Sequence, residues 1–456
     1  MPSFKKVLNF FESKIVFNSY VLLLLFYLLI FEGTRTNPFF LGLQTINVFL
    51  CLYFISKKPG LNLVTSFYGF TLILLCLLPI AEFKMGIIYW EGKKISDITY
   101  IKTSLLVLIS ILSFKFGYSV RFRSKRLNTK IFSYSEISKT FTFRNFFPKT
   151  ILLLIIPCIY LLSAYNYDII AMQIRSGGES IESVFLFEWF LVKPLIFNLC
   201  FFYLLHNNLN SRKNILIGLL FIIIIIFFVN PLGVARFLAF SLYIPLIYLN
   251  SKFRLSNSYL FLNFVFFGLI FIFPILDIFR WFAVGDYLNL AANFNLEYYF
   301  AGHFDAFQNF CRVIDLNIVT YGEQFLGAIF FFIPRSVWPS KSVGTGFLLA
   351  DKAGLSFNNI SMPFVAELYL DFTFVGMIIG IILLGIIYRK IDDRIDKITN
   401  TYSFKNTIKL IAFSEFCCLQ FYLLRGNFLG AFAFSSTVLF TLFIIYIFYS
   451  IINLKK

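Results

Sequence analysis

The sequence is poor in charged residues, in histidine and in paired cysteines. Charged residues make up 14% of the 456 positions, and two residues are histidine, whereas an average soluble domain has roughly 25% charged residues. Six of the seven cysteines lie in apolar runs and no CxxC pair occurs, which argues against disulfides and thiolate metal sites. His303 has no second histidine or cysteine nearby, so no zinc site is expected there.

The sequence also lacks the motifs of nucleophilic and phosphate-loop enzymes. There is no GxSxG, no Cys–His arrangement and no glycine-rich phosphate loop, so nucleophilic catalysis is not supported. One acidic run, Asp392, Asp393 and Asp396, is interleaved with arginine and lysine. We interpret it as a solvated helical turn, and we expect any chemistry to be independent of metal.

What the sequence does contain is a series of long apolar runs. Hydrophobic residues make up 59% of the chain, and a helix needs ~20 apolar residues to cross a bilayer. The pattern predicts an all-α polytopic membrane protein with about 12 transmembrane helices in one integral membrane domain, residues 1–456. The predicted spans are 15–31, 39–56, 61–82, 100–119, 149–164, 186–206, 214–229, 232–250, 258–276, 363–388, 407–424 and 429–452.

The charges between these runs predict the orientation of the chain. The first run follows a basic leader without a small-residue cleavage site, so we interpret it as an anchor. With the N-terminus inside, the inner segments carry 25 of the 40 Lys and Arg residues, as the positive-inside rule requires. Both termini are therefore expected in the cytoplasm. The net charge of +17 is explained by topology and by lipid contact, without nucleic acid.

One outer connection, residues 277–362, is long, and it contains a helical pattern. Its apolar stripe is Phe300, Phe304, Phe307, Cys311 and Ile314, and its polar face is Asp305, Asn309 and Arg312. These spacings predict an amphipathic helix that lies on the outer membrane surface or over the helix bundle. The polar face is either solvated or forms the roof of a site.

A second element of this loop, residues 325–346, is too apolar for an ordinary loop and too short to span. About ten mostly apolar residues lead into Pro334, and Arg335, Trp338 and Lys341 follow. We predict a re-entrant or interfacial segment that brings two cations and an indole to the membrane surface.

Four outer arginines come from separate parts of the chain at similar membrane depth. They are Arg236, Arg280, Arg335 and Arg425. Each alone can be an interfacial anchor, but four on the side that the positive-inside rule disfavours predict a shared anion site. The planar guanidinium suits phosphate oxygens, and Lys341 adds a further charge.

Two acids near the outer end of the tenth span share a helix face, because Glu367 and Asp371 are four residues apart. Acids inside a span usually pair, so they are interpreted as partners of Arg335 or Arg425. The alternative for Glu367 is a general base, and Asp277 and Asp305 are rival bases.

The residues IPRSVWPSK and SMPFVAELYLDFTFVG, with GVAR at Arg236 and LLRGN at Arg425, resemble the bacterial oligosaccharide repeat-unit polymerases. This Wzy-type family includes the O-antigen and enterobacterial common antigen polymerases. The resemblance covers the chain from about residue 225 onward. GVAR departs from the GGxR form of some members, because valine replaces the second glycine before Arg236.

The resemblance implies a C-type glycosyltransferase-like fold in the bacterial inner membrane, with a periplasmic active site. Its substrates would be an undecaprenyl-diphosphate-linked glycan donor and a similar acceptor, with no cofactor. The four arginines become catalytic diphosphate ligands, with Glu367 or Asp305 as a base. The expected substrate-binding residues are Lys341, Trp338, Arg312, Asp277, Asn427, His303 and Asp371.

Two alternatives remain at the level of sequence. One is an O-antigen ligase of the same fold class, and the other is a flippase for lipid-linked oligosaccharides. Transporters place polar groups near the midplane, and Lys193 before Pro194 is the feature that points that way. A chain-length-determining co-polymerase is a further candidate partner.

Overall fold

The computed structural model describes residues 12–120, 143–165, 188–206, 212–231, 236–250, 259–272, 302, 304–396, 398 and 404–454, and these residues contain helices and no strands. In chain order the helices are α1 Lys14–Ile30, α2 Pro38–Ile55, α3 Leu63–Met85, α4 Asp97–Ser119, α5 Phe143–Ala164, α6 Lys193–His206, α7 Arg212–Phe228, α8 Arg236–Asn250, α9 Leu260–Ile272, α10 Ala306–Asp315, α11 Glu323–Ile329, α12 Thr345–Ala353, α13 Phe364–Ile395, α14 Phe404–Arg425 and α15 Phe428–Leu454.

Six of these helices are long and apolar enough to cross a membrane, namely α2, α3, α4, α13, α14 and α15. Six further apolar helices are shorter: they lie in α1, α5, α6, α7, α8 and α9. Every predicted span coincides with one of these twelve helices, so the prediction of an all-helical membrane protein is confirmed. The count of twelve crossings stays a prediction, because the shorter helices do not reach spanning length by themselves.

Three apolar segments contain wide, π-helical turns. They lie at Leu72–Leu77 inside α3, at Glu188–Val192 just before α6, and at Gly268–Ile272 at the end of α9. Such turns loosen the regular hydrogen-bond ladder and occur often at functional sites.

The buried side chains form two clusters that are linked by α14 and by the start of α15. The first cluster is built mainly from α1 to α4, α9, α10 and α13, and the second from α5 to α8 and α15. Helix α14 contributes to both, because Cys417 and Phe421 face the first cluster while Ile411 and Leu419 face the second. We refer to the two sets of helices as the first and the second bundle.

Helices α4 and α13 approach each other closely where each carries a glycine. A Cβ on Gly117 would overlap the carbonyl of Ile382, and one on Gly385 would overlap the carbonyl of Phe114. Small residues at such crossings let two membrane helices bring their backbones together. This contact fixes α13, whose N-terminal end carries the two acids described below.

The prediction that the acidic run at the C-terminal end of α13 is solvated is wrong for Asp392. Asp392 is buried, and its carboxylate accepts hydrogen bonds from the Leu63 N–H at 3.0 Å and from the Tyr118 hydroxyl at 2.7 Å. Leu63 begins α3, so the carboxylate satisfies an N–H that lacks an intrahelical partner. Asp396 remains exposed and pairs with Lys58 at 2.9 Å.

Helix α13 is not continuous. Thr373 has φ 60° and ψ −165°, which divides the helix into a short N-terminal part, the outer part in the predicted topology, and a long C-terminal part. The outer part is buried against the loop helices, whereas the side chains from Phe372 to Val375 are exposed. The predicted tenth span is therefore a broken helix.

The amphipathic helix predicted in the long loop is confirmed as α10. It packs against α4, α12, α13 and the π-helical turn of α3. Both its faces are buried in protein: Phe307 and Cys311 on one side, Asn309 and Arg312 on the other. A solvated polar face was therefore the wrong alternative.

The segment predicted as re-entrant divides into two short helices and a turn region. Its apolar start forms most of α11, which packs on α13 and α15, and its last residues begin α12. Between them, Phe332 and Val337 are exposed. Its depth in a membrane stays a prediction.

Candidate functional site

The polar face of α10 is a chain of hydrogen bonds. The Asn309 amide donates to Asp305 Oδ2 at 3.0 Å, and Arg312 Nη1 donates to Asn309 Oδ1 at 2.7 Å. The spacings of four and three place these side chains on one face, as the sequence predicts. Asp305 is 1% exposed and Arg312 is 5% exposed, so both charges depend on protein partners.

The loop between α3 and α4 closes over this face. Arg312 Nη2 donates to the Tyr89 carbonyl at 2.6 Å, and the Gln308 amide donates to the Ile87 carbonyl at 2.8 Å. The Trp90 indole N–H donates to Asp305 Oδ2 at 2.8 Å. Burial lowers the pKa of Arg312, and the neighbouring carboxylates of Asp305 and Glu82 act in the opposite direction.

Trp90 adopts a backbone conformation that is rare for a large side chain, with φ 60°. Its ring stacks on Phe357 at a centroid distance of 4.7 Å. On another side the ring lies against Gly302, where an added Cβ would overlap it. Strained residues held by their surroundings are concentrated at functional sites.

Asp305 is the central acceptor of the cluster. Besides Trp90 and Asn309, it accepts hydrogen bonds from the backbone N–H of Ser361 at 3.4 Å and from the Ser361 hydroxyl. It also faces Arg425, with 3.8 Å between Asp305 Oδ1 and Arg425 Nη2. With both oxygens engaged, Asp305 is better suited to holding other groups in place than to accepting a proton.

Arg425 lies at the end of α14, next to this cluster. Its Nη2 also donates to the carbonyl of Gly302 at 3.2 Å, and the side chain is 20% exposed. The structure thus brings together three of the predicted site residues: Asp305, Arg312 and Arg425.

Glu82 belongs to the same cluster but was not predicted. Its side chain is 0% exposed, and neither carboxylate oxygen has a hydrogen-bond partner with acceptable geometry. Tyr89, Gln308 and Arg312 lie around it, and the Tyr89 hydroxyl likewise forms no hydrogen bond of acceptable geometry. The sequence does contain a signal for Glu82, which is a single acid at the end of an apolar run. Such acids usually face the bundle interior.

Three predicted site residues accept hydrogen bonds from groups at helix N-termini, namely Glu367, Asp371 and Asn427. Glu367 accepts from the Thr345 hydroxyl and from the Phe428 N–H at 2.7 Å, at the starts of α12 and α15. Asp371 accepts from the Gln324 N–H at 3.2 Å, in the first turn of α11. Asn427 accepts from the Gly430 N–H at 2.7 Å. Carboxylates and amides in these positions satisfy N–H groups that a helix cannot.

The two carboxylates therefore do not have the partners that the sequence predicted. Within the described ranges, neither Glu367 nor Asp371 forms an ion pair with Arg335 or Arg425. The reason is positional: the half-helix that carries both acids faces the starts of three other helices, whose N–H groups attract the carboxylates.

Arg335 and Lys341 bind their own loop. Arg335 donates to the carbonyls of Lys341 and Ser342 at 2.7 and 3.0 Å, and its side chain remains exposed. Lys341 donates to the carbonyls of Phe331 and Ile333 at 2.9 and 2.6 Å. Burial, followed by the charge of Arg335, lowers the pKa of Lys341. Trp338 donates to the Ser340 hydroxyl at 3.2 Å.

The remaining predicted site residues fall outside what the structure describes. Arg280, Asp277 and His303 lie outside the described residues, and Arg236 begins α8 with a side chain that is not described. Their convergence with Arg425 stays a prediction.

Fold and site together define an all-helical, membrane-embedded protein with a buried polar cluster where α3, α13 and α14 reach the same end of the first bundle. No family model, no curated protein and no solved structure matches the chain. The functional assignment therefore rests on residues and geometry.

Proposed function

We propose that the chain is a glycosyltransferase that polymerises undecaprenyl-diphosphate-linked oligosaccharide repeat units at the periplasmic face of the bacterial inner membrane. The observation that carries the proposal is the placement of Arg425. It is a partly exposed guanidinium at the end of a membrane helix, held 3.8 Å from the buried carboxylate of Asp305. A lipid diphosphate would present its charge at the end of such a helix.

The cluster around Asp305 suits a group that must be fixed before the substrate arrives. Trp90, Asn309 and Ser361 hold the carboxylate from three directions, and the carboxylate in turn orients Arg425. Fixed donors stabilise developing charge without reorganising during the reaction. Asp305 is thus proposed as a positioning residue and Arg425 as a catalytic one.

The leaving diphosphate needs cationic stabilisation more than it needs a general acid. Arg335 is exposed on the adjacent loop, and Arg236 and Arg280 are the further ligands implied by the family resemblance. Glu367 remains the alternative base, but its Oε1 already accepts from Thr345 and Phe428. The proposal therefore assigns most of the rate enhancement to the arginines.

Elongation of a defined lipid-linked repeat unit by the purified chain tests this assignment. Arg425→Ala should lower the elongation rate by ~10²–10³, the usual cost of removing one such donor. Arg425→Lys should recover little, because an ammonium cannot reproduce a planar fork. Arg394→Ala is the matched control, since Arg394 is exposed at the opposite end of α13 and should keep full activity.

The same assay applies to Arg236, Arg280 and Arg335. Each alanine variant should insert into membranes and lose long products. Normal-length polymer from three of the four alanine variants would refute the diphosphate site.

A second candidate function, transport of a lipid-linked oligosaccharide, is favoured by polar groups inside the second bundle. Lys193 and Glu188 form a buried ion pair of 2.6 Å beside a π-helical turn, and Glu415 is buried in α14. Transporters place such groups along broken helices. Deleting the gene separates the functions: loss of a polymerase leaves one repeat unit on lipid A core, and loss of a flippase strands the unit on the inner leaflet.

A further inference from the structure

Glu415 lies midway along α14, far from the cluster around Asp305. It is 0% exposed, and α14 is one of the six helices that can cross a membrane. Ile411 and Leu419, one turn to either side, both face the second bundle, so Glu415 faces that bundle too. A carboxylate at this depth is costly unless it is compensated, and such residues usually mark ion or proton sites.

Two polar side chains from other helices lie at the same level. Asn198 of α6 is next to the carboxyl of Glu415, and its amide donates to the Thr441 hydroxyl at 2.9 Å. Thr441 is near the middle of α15, and both residues are fully buried. Three helices therefore contribute one polar residue each to a common layer.

This layer contains more acceptors than donors. The Asn198 amide lies close enough to stabilise the Glu415 carboxylate, but within the described residues neither carboxylate oxygen, nor the Oδ1 of Asn198, has a hydrogen bond of good geometry. Within the described ranges, Glu415 forms no ion pair with a lysine, arginine or histidine, and the buried lysine of this bundle, Lys193, pairs with Glu188. Buried acceptors of this kind require a positive charge or a donated proton.

We propose that Glu415 and Asn198 form an intramembrane binding site for one unit of positive charge, taken from solution as a proton or as Na⁺. Thr441 orients the amide of Asn198 and so acts on the site through it. The carboxylate supplies the negative charge, and the Asn198 side chain supplies a neutral polar group beside it. The site is separate from the diphosphate site and does not depend on the proposed polymerase activity.

Thermal unfolding of the purified chain in detergent tests the sodium form. Wild type in NaCl should melt at a higher temperature than in choline chloride of equal ionic strength, because a bound ion stabilises the folded state. Glu415→Gln should abolish this difference. Thr441→Val should raise the Na⁺ concentration at half effect by roughly 10–100-fold, the usual cost of losing a group that orients a ligand.

Labelling with dicyclohexylcarbodiimide tests the proton form. The reagent adds to a protonated carboxyl in apolar surroundings, and mass spectrometry then locates the adduct. The peptide that contains Glu415 should be labelled in wild type, and labelling should fall as pH rises. If sodium protects the peptide from labelling, the bound ion is Na⁺. If sodium leaves the labelling unchanged, the bound ion is a proton.

Two variants keep the test decisive. Asp392→Asn is the matched control, since Asp392 is also buried but its carboxylate accepts hydrogen bonds from Leu63 and Tyr118, and it should retain the wild-type response. Asn198→Ala preserves the carboxyl and should weaken the response. It provides the test if Glu415→Gln fails to fold. A wild-type chain that shows neither a sodium effect nor labelling at Glu415 overturns the proposal.

Discussion

Gly302 contacts both Arg425 and Trp90 in the cluster around Asp305. It has φ +68°, its carbonyl accepts from Arg425, and the ring of Trp90 lies where its Cβ would be. Few other residues could adopt this backbone conformation, and none with a side chain could do so beneath the indole.

Gly302→Ala should therefore displace Trp90 and disturb both Asp305 and Arg425. We expect a lower melting temperature and a loss of elongation activity. Gly354→Ala is the matched control: Gly354 has φ +62° with nothing within 4 Å of an added Cβ, so it should show only the backbone cost, ~1 kcal/mol. Equal effects of the two substitutions would contradict a role for the indole contact, whereas recovery of stability by Trp90→Ala in the Gly302→Ala background would support it.

At this scale the sequence predicted the polar face of α10 but not what covers it. Asp305, Asn309 and Arg312 repeat at helical spacing, which is visible in any sequence. Their partners are the carbonyl of Tyr89 and the indole of Trp90, which come from a loop more than 200 residues away. No local sequence pattern predicts the contact between this loop and α10, and none predicts the positive φ of Trp90. Glu82 was not predicted as a site residue because it ends an apolar run that is predicted to span the membrane.

Among the helices, α13 carries the clearest local strain. Thr373 is β-branched, and its φ and ψ of 60° and −165° lie in a region that is essentially confined to glycine. The residue is exposed, so its side chain contributes little packing. The break turns the short half-helix with Glu367 and Asp371 towards α11 and α15.

Thr373→Gly should stabilise the folded chain. Glycine adopts this conformation freely, so we expect relief of ~1–3 kcal/mol of strain, measured as a higher melting temperature. Thr373→Ala removes the same side chain but does not give the backbone this conformational freedom, so it should raise the melting temperature much less. A glycine variant that melts below the alanine variant would show that the break is not strained.

The positions of the apolar helices were predictable, and their irregularities were not. Run length alone located α2 and α15 within a few residues, because the bilayer imposes a minimum length on any span. The break at Thr373 and the π-helical turns depend on packing between helices. Hydropathy does not record such contacts, so α13 was predicted as continuous.

For the molecule as a whole, the asymmetry of Lys and Arg predicts which side each end occupies. Tyr321 is 86% exposed in the long loop, and Arg394 is exposed at the inner end of α13. These two positions should lie on opposite sides of the membrane.

Cysteine substitutions at both positions test the orientation in intact cells. Tyr321→Cys should react with a membrane-impermeant maleimide added from the periplasmic side, and Arg394→Cys should react only after the inner membrane is permeabilised. The background is favourable, because six of the seven native cysteines are buried and Cys158 is partly so. The reverse pattern of labelling would place the candidate site in the cytoplasm.

The division into two bundles could not be predicted from the sequence. All the apolar runs resemble one another in composition, and only tertiary contacts assign α8 to the second bundle and α9 to the first. The shared position of α14 likewise depends on its two apolar faces meeting different neighbours.

That shared helix carries Arg425 at its end and Glu415 ten residues earlier. At 1.5 Å per residue, the two groups are about 15 Å apart along one stiff rod. A shift or rotation of α14 as a unit moves both groups together, because no loop lies between them. A charge that binds at the proposed Glu415 site and displaces α14 would therefore also displace the Arg425 guanidinium.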